Sequence, residues 1–149
     1  VTTLTKEAFP MIRYRTKDIS RLDFQPCDCG RTHVRMEKII GRTDDMLKIR
    51  GVNVFPSQIE SVLMTMPQVG GHYLLILRRE RFTDSLEVKV ELVDNSLLEN
   101  YGALEALTHR IHDKLKSVLG LETTVTLADP QTLERTAGKA KRILDLRGN

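Results

Sequence analysis

Three short polar segments of this chain combine residue types that can bind a nucleotide or another anion. Residues 14–18 (YRTKD) end on Asp18, whose carboxylate can accept two hydrogen bonds from a ribose diol. Residues 41–51 (GRTDDMLKIRG) pair acidic with basic side chains, which is typical of a polar linker between two units. Residues 138–142 (GKAKR) set a glycine before Lys139, so that an anion could approach the backbone and meet a positive charge.

A fourth segment, residues 27–33 (CDCGRTH), contains possible metal ligands. Cys27, Cys29 and His33 lie within it, and thiolates and imidazoles are the usual ligands of zinc. A structural zinc site takes four protein ligands and this chain offers three at most, so we expect a ligand from outside this chain to complete it. The Cys-x-Cys spacing is narrower than the common Cys-x2-Cys, and a reduced turn that stops at glycine is the alternative.

Each segment taken alone also has a plainer interpretation. An exposed aspartate beside lysine and arginine is usually a solvated turn residue. Residues 41–51 could be a charged loop ahead of a strand, and residues 138–142 could be a solvated basic tail. The phosphate-binding loop Gly-x-x-x-x-Gly-Lys-Ser/Thr is absent from the sequence.

Length and composition limit the classes of protein to consider. The 149 residues fit one domain, or one domain plus a fragment, and 40% hydrophobic with 29% charged residues is ordinary globular composition. The net charge of +3 comes from interspersed charges and aromatics make up only 5%, which argues against nucleic-acid binding. No apolar stretch approaches the roughly 18 residues of a membrane span and no secretory leader is visible, so we expect a cytoplasmic protein without membrane contact.

The apolar pattern changes near residue 45. Before it lie only short strand-like pieces at 11–14 and 35–40, which we do not expect to fold alone. The later pattern predicts a strand at 46–50, a helix opened by Pro56 with a Ser57–Glu60 capping box, strands at 73–77 and 86–93, a helix over 104–118 that Gly120 ends, and a strand at 123–127. This β-α-β-β-α-β order predicts an α+β, ferredoxin-like fold with both helices on one face of an antiparallel sheet. We expect strand 86–93 to keep one wet face, and the tail 130–149 to lie over the surface.

Taken together and in this order, the three segments resemble those of adenylate-forming acyl-CoA synthetases. Residues 14–18 look like the Tyr-Arg-Thr-Gly-Asp motif of that superfamily, with Lys17 in place of the usual glycine. Residues 41–51 resemble its hinge motif, and Gly138-Lys139 resembles the motif of its catalytic lysine. Residues 49–56 (IRGVNVFP) and 138–142 (GKAKR) look specifically like phenylacetate–CoA ligases.

The resemblance implies an AMP-forming acid–thiol ligase that acts in two steps. ATP, with magnesium, and an aryl acid such as phenylacetate give an acyl adenylate and pyrophosphate, and coenzyme A then displaces AMP. Residues 1–45 would be the β-rich end of the large N-terminal adenylation domain plus the hinge, and residues 46–149 the swinging C-terminal domain. The chain would need the rest of the N-terminal domain as its partner and would be inactive alone.

The resemblance also implies a role for individual residues. Asp18 would bind the ribose hydroxyls and Arg42 would lie near the ribose and phosphate. Asp44 would be the hinge, and Gly51 would let the pantetheine arm of coenzyme A pass close to the backbone. Lys139 would bridge the substrate carboxylate and the α-phosphate in the first step.

One alternative of a different class stays open at this point. A non-catalytic, ferredoxin-like ligand-binding or interaction module would have the same fold, because this fold carries many unrelated functions. That alternative leaves the order of the three segments unexplained. A long reading frame upstream of Val1 would favour the ligase.

Overall fold

The computed structural model describes residues 1–135 and 142–148. The chain divides into two compact units, Val1–Met46 and Leu47–Asn149. Among the described residues, no helix has the length and apolar character needed to cross a membrane.

The first unit contains only short strands and no buried residue. Its strands are β1 (Asp18–Ile19), β2 (Leu22–Asp23), β3 (Arg35–Met36) and β4 (Gly41–Arg42). They pair antiparallel as β1–β4 and β2–β3. Every residue of this unit is exposed or half-buried, which leaves it without a core.

The structure corrects both strands that the sequence predicted for this unit. Residues 11–14 form no strand, although the Tyr14 N–H donates to the Val1 carbonyl at 2.7 Å and the Thr3 N–H donates to the Met11 carbonyl at 3.0 Å. The strand expected over 35–40 is limited to Arg35–Met36. These strands have no apolar face to bury, so no packing against a core stabilises longer strand pairs.

The second unit combines a hairpin, a larger sheet and two helices. The hairpin consists of β5 (Leu47–Ile49) and β6 (Val52–Val54), which α1 (Pro56–Leu63) follows. The sheet has the order β10-β7-β8-β9, from β7 (Val69–Glu80), β8 (Thr83–Leu92), β9 (Thr124–Ala128) and β10 (Ile143–Asp145), with α2 (Tyr101–Leu119) between β8 and β9. Strands β7 and β8 run antiparallel, whereas β9 is parallel to β8 and β10 is parallel to β7.

The α+β class is confirmed, and the pairing of the strands differs from a fully antiparallel ferredoxin-like sheet. The first predicted strand pairs within the β5–β6 hairpin instead of entering the sheet. The reason is local: Arg50 (φ 50°) and Gly51 (φ 80°) both adopt positive φ and reverse the chain within two residues, as in a type I′ turn. The tail, expected to lie over the surface, supplies the edge strand β10.

Both helices begin at identifiable signals, and α2 also ends at one. In α1, Phe55 is the N-cap and its N–H donates to the Gln58 side chain at 2.9 Å, so Ser57 lies inside the helix and not at the N-cap position that the expected box requires. In α2, Asn100 caps the first turn by accepting from the Ala103 N–H at 3.0 Å. Gly120 ends α2 in the left-handed region, as the sequence predicted.

One continuous core fills the space between the helices, the hairpin and one face of the sheet. Its fully buried side chains alternate along β7 and β8 and recur at helical spacing in α1 and α2. They include Leu75, Leu77, Leu86, Val88, Val90, Ile59, Leu63, Leu107, Ile111 and Leu115. The hairpin contributes Ile49 and Val54, so burial fixes one of its two faces.

The outer face of β8 is not uniformly wet, contrary to the sequence-based expectation. Glu91 is only 2% exposed on that face. Its carboxylate accepts from the Leu133 N–H at 2.6 Å and from Arg135 Nη2 at 2.7 Å. Burial raises the pKa of Glu91, and these two donors outweigh burial, so the net pKa lies below the usual value.

The buried Glu91 carboxylate should therefore stabilise the fold in a pH-dependent way. Glu91→Gln should lower the free energy of unfolding at pH 7 by about 1–3 kcal/mol, because it weakens two hydrogen bonds to a charged acceptor. Since the pKa is depressed in the folded state, this contribution should be present at neutral pH and lost as pH falls below about 4. Urea denaturation at both pH values measures it, with Glu80→Gln at the exposed end of β7 as the matched control. An equal loss in the control would contradict the assignment.

Candidate functional site

Asp18 and Arg42 lie opposite each other in the first unit. Strands β1 and β4 pair so that Asp18 is the direct cross-strand partner of Arg42. The pairing continues beyond the strands, where the Thr43 N–H donates to the Lys17 carbonyl at 2.8 Å. The two residues expected to contact ribose and phosphate therefore share one ladder.

Arg42 binds Asp44 through both arms of its guanidinium. Arg42 Nε lies 2.9 Å from Asp44 Oδ1, and Arg42 Nη2 lies 2.9 Å from Asp44 Oδ2. Lys17 Nζ approaches the same carboxylate at 3.3 Å. The Arg42 guanidinium, with a smaller contribution from Lys17, holds the pKa of the Asp44 carboxyl well below its usual range, and the same contact raises the pKa of Arg42.

This arrangement gives Arg42 two possible partners. Its planar donor pair suits a carboxylate or a phosphate equally well. With Asp44 bound, the guanidinium is engaged by a residue that lies two positions before Met46, the last residue of the first unit. Because these groups are exposed, solvent screens the attraction between Arg42 and Asp44. Replacing Asp44 by another anion as the partner of Arg42 therefore costs little free energy.

Lys17 is a site residue that motif reading alone did not select. It adopts φ 66°, a left-handed conformation that costs energy for any residue with a Cβ. The motif that residues 14–18 resemble has glycine at this position, and glycine adopts such a φ without that cost. Positive φ thus accounts for the usual glycine, whereas the ion pair with Asp44 needs a charged side chain that glycine lacks.

Gly51 occupies the second position of the β5–β6 turn. Its φ of 80° belongs to the left-handed region, while a Cβ built there would meet no atom within 4 Å. The turn therefore favours glycine for its conformation rather than for crowding inside the chain. The open space beside it is compatible with a ligand that passes along the backbone.

Lys139 lies outside the described residues, and the nearest described residues before and after it are Arg135 and Arg142. Arg135 binds the buried Glu91. Arg142 Nη1 lies 2.7 Å from Glu60 Oε1 and 3.2 Å from Tyr73 Oη, and its guanidinium stacks over the Tyr73 ring at 4.8 Å. Two arginine–glutamate pairs thus flank the segment that carries Lys139, and neither was predicted.

The predicted metal ligands come together only in part. Cys27 Sγ and Cys29 Sγ lie 2.9 Å apart, and the Cys27 thiol, with the backbone at Arg31, lowers the pKa of Cys29. His33 does not join them, since the described part of the chain contains no group of three or more His, Cys, Asp or Glu side chains suited to a metal ion. A zinc site completed from outside this chain stays a prediction.

The chain is similar in sequence to a known protein family and to several curated enzymes. Residues 51–147 match the family described as AMP-binding enzyme C-terminal domain. Phenylacetate-coenzyme A ligase of Thermus thermophilus is 46% identical over 159 residues, covering 98% of this chain and 36% of that protein. The enzyme of the same name from Escherichia coli is 46% identical over 146 residues, covering 98% and 33%. The chain thus spans about a third of the length of these curated relatives.

Solved structures agree with this assignment. A 2-hydroxyisobutyryl-CoA ligase in the postadenylation state, in complex with R3-HIB-AMP, superposes with a TM-score of 0.78 at 35% identity, covering 93% of this chain and 30% of that one. A domain of phenylacetate-coenzyme A ligase from Bacteroides vulgatus gives a TM-score of 0.64 at 36% identity, covering 70% of this chain and 94% of that one.

Proposed function

This chain belongs to the family of AMP-binding enzyme C-terminal domains, and we propose that it is the C-terminal part of an ATP-dependent acid–CoA ligase of the phenylacetate–CoA ligase type. The observation that carries the proposal is identity of 46% to ligases of that name over 98% of the chain. Residues 1–45 then form the end of the large N-terminal adenylation domain with the hinge, and residues 46–149 form the swinging domain. The absence of any buried residue in the first unit supports this division.

The proposed reaction has two steps. In the first, a substrate carboxylate oxygen bonds to the α-phosphorus of ATP and pyrophosphate leaves. In the second, the sulfur of coenzyme A bonds to the acyl carbon and AMP leaves. The acid is an aryl acid such as phenylacetate, a choice that rests on the names of the relatives.

Asp18, Arg42 and Asp44 act on the nucleotide and on the exchange between the two steps. The Asp18 carboxylate accepts hydrogen bonds from the ribose hydroxyls, and Arg42 donates to ribose or phosphate from the neighbouring strand. When Arg42 turns to the nucleotide, Asp44 loses its bidentate partner. Asp44 is the hinge, so release of that pair and rotation of its backbone take place at the same residue.

Lys139 and Gly51 serve different steps. Lys139 reaches the substrate carboxylate and the α-phosphate in the first step, where its charge offsets the negative charge that gathers at the reacting phosphorus. Gly51 lets the pantetheine arm pass along the β5–β6 turn in the second step. The open space around Gly51 supports that role.

Magnesium accompanies the ATP in the first step. A step that consumes ATP and coenzyme A suits a cytoplasmic protein. The remaining partner is the rest of the N-terminal domain.

Full-length protein and isolated chain should behave differently in the defining experiment. The full-length protein should form the CoA thioester of phenylacetate or another aryl acid when given ATP, magnesium and coenzyme A. The isolated chain should release no pyrophosphate above background, because the acyl pocket and most of the nucleotide site lie outside it. Turnover by the isolated chain, or no thioester from the full-length protein with any acid of an aryl panel, would reject the proposal.

A further inference from the structure

Arg147 connects three segments of the second unit. Arg147 Nη1 donates to the Lys48 carbonyl of β5 at 2.6 Å and to Asp84 Oδ2 at 3.1 Å. Its Nε and Nη2 bind both oxygens of Asp145, at 2.9 and 2.6 Å. One guanidinium therefore joins the β5–β6 hairpin, the start of β8 and the end of β10.

Asp84 provides a second connection to the same hairpin. Arg50, the residue before Gly51, donates from its Nε to the Asp84 carbonyl at 2.6 Å. Arg79 binds both oxygens of Asp84, with Nε 2.6 Å from Oδ1 and Nη2 3.2 Å from Oδ2, the oxygen that Arg147 also binds. The Asp84 side chain is only 12% exposed, so these contacts are partly shielded from solvent.

The hairpin depends on such contacts for its position. In a hairpin with a two-residue turn, the pair next to the turn is hydrogen-bonded and the following pair is not. Lys48 and Asn53 form that following pair, so the Lys48 carbonyl points away from β6 and is available to Arg147. Three-residue strands pair weakly by themselves. Burial fixes the inner face of the hairpin, while Arg147 and Asp84 fix its outer edge and its turn.

We propose that Arg147 and Asp84 are positioning residues that hold the Arg50–Gly51 turn in the orientation required for coenzyme A. The inference rests on the proposed function, since it takes Gly51 as the place where the pantetheine arm passes. Both residues act through the hairpin and neither touches the reacting atoms. Their removal should affect the second half-reaction and spare the first.

The test separates the two half-reactions in the full-length ligase. Arg147→Ala should slow thioester formation from supplied acyl adenylate by about 10- to 100-fold, the loss typical of a reactant displaced by about 1 Å. Pyrophosphate release in the adenylation step should stay within about twofold. Equal losses in both half-reactions would indicate a general structural role and overturn the inference.

Two further variants make the outcome specific. Arg78→Ala removes the same charge from β7, where Arg78 binds Glu87 instead of the hairpin, and it should leave both half-reactions unchanged. Gly51→Asn adds a side chain that tolerates positive φ, and it tests the coenzyme A role directly. If Gly51→Asn slows thioester formation and Arg147→Ala does not, the positioning role is wrong. If Gly51→Asn has no effect, the assignment of Gly51 itself fails.

Discussion

Replacing Lys139 by alanine in the full-length ligase should lower acyl-adenylate formation by about two orders of magnitude or more. A preorganised charge beside a reacting phosphorus contributes roughly that much to stabilising the transition state. The second half-reaction should survive, because Lys139 is assigned to the first step alone. Thioester formation from supplied acyl adenylate and pyrophosphate release from ATP measure the two steps separately.

Lys141→Ala is the matched control for this prediction. It removes an equal charge from the same short segment and should leave adenylation largely intact. If Lys139→Ala slowed both half-reactions equally, the assignment of Lys139 to adenylation would be wrong. If Lys141→Ala caused the larger loss, the catalytic lysine would be Lys141.

Asp44→Pro should have the opposite selectivity. Proline fixes φ near −65° and removes the N–H, so it stiffens the backbone in whichever conformation it permits. If Asp44 is the hinge, adenylation should persist while transfer to coenzyme A falls on the order of 100-fold, as expected for misplaced reactants. The same pair of half-reaction assays measures this split.

Asp44→Ala separates the backbone from the side chain. It removes the contacts with Arg42 and Lys17 without restricting φ, so the second half-reaction should stay within a few fold of the parent, about the effect of losing an exposed ion pair. Equal losses in the proline and alanine variants would assign the effect to the ion pair. An unchanged second half-reaction in Asp44→Pro would move the hinge elsewhere.

The elements that the sequence predicted well are those whose signal is local. The alternation from Leu86 to Leu92 and the helical spacing from Leu104 to Leu115 each arise within one element, and the structure contains both. Gly120 ends α2 for a reason confined to its own backbone. These features depend on few distant residues, so pattern reading finds them.

The features that the sequence did not predict depend on distant partners. Strand β10 is three residues long in a polar tail, and it exists because the edge of β7 accepts it. The burial of Glu91 depends on Leu133 and Arg135, far along the chain. Periodicity carries no information about such pairings, since it reports only which face of an element is apolar.

The candidate site also combines features with a local sequence signal and features that depend on distant residues. Motif resemblance selected Asp18, Arg42 and Asp44 from the sequence, yet their mutual contacts appear only in the structure. Arg147 belongs to none of the motifs, and nothing in its neighbours in sequence indicates that it reaches Lys48 and Asp84. A residue that acts by joining three separate segments has no local signal to be read.

Strand β10 also has a consequence for contacts between this unit and other molecules. Its three residues cover the edge of β7 at Leu75–Leu77, with the Leu75 N–H donating to the Arg142 carbonyl at 2.8 Å and the Leu146 N–H donating to the Leu77 carbonyl at 2.9 Å. A chain cut before Ile143 would present that apolar edge, with its unpaired backbone groups, as a template for strands of other molecules. By pairing with this edge of β7, the tail prevents edge-to-edge pairing with other molecules there.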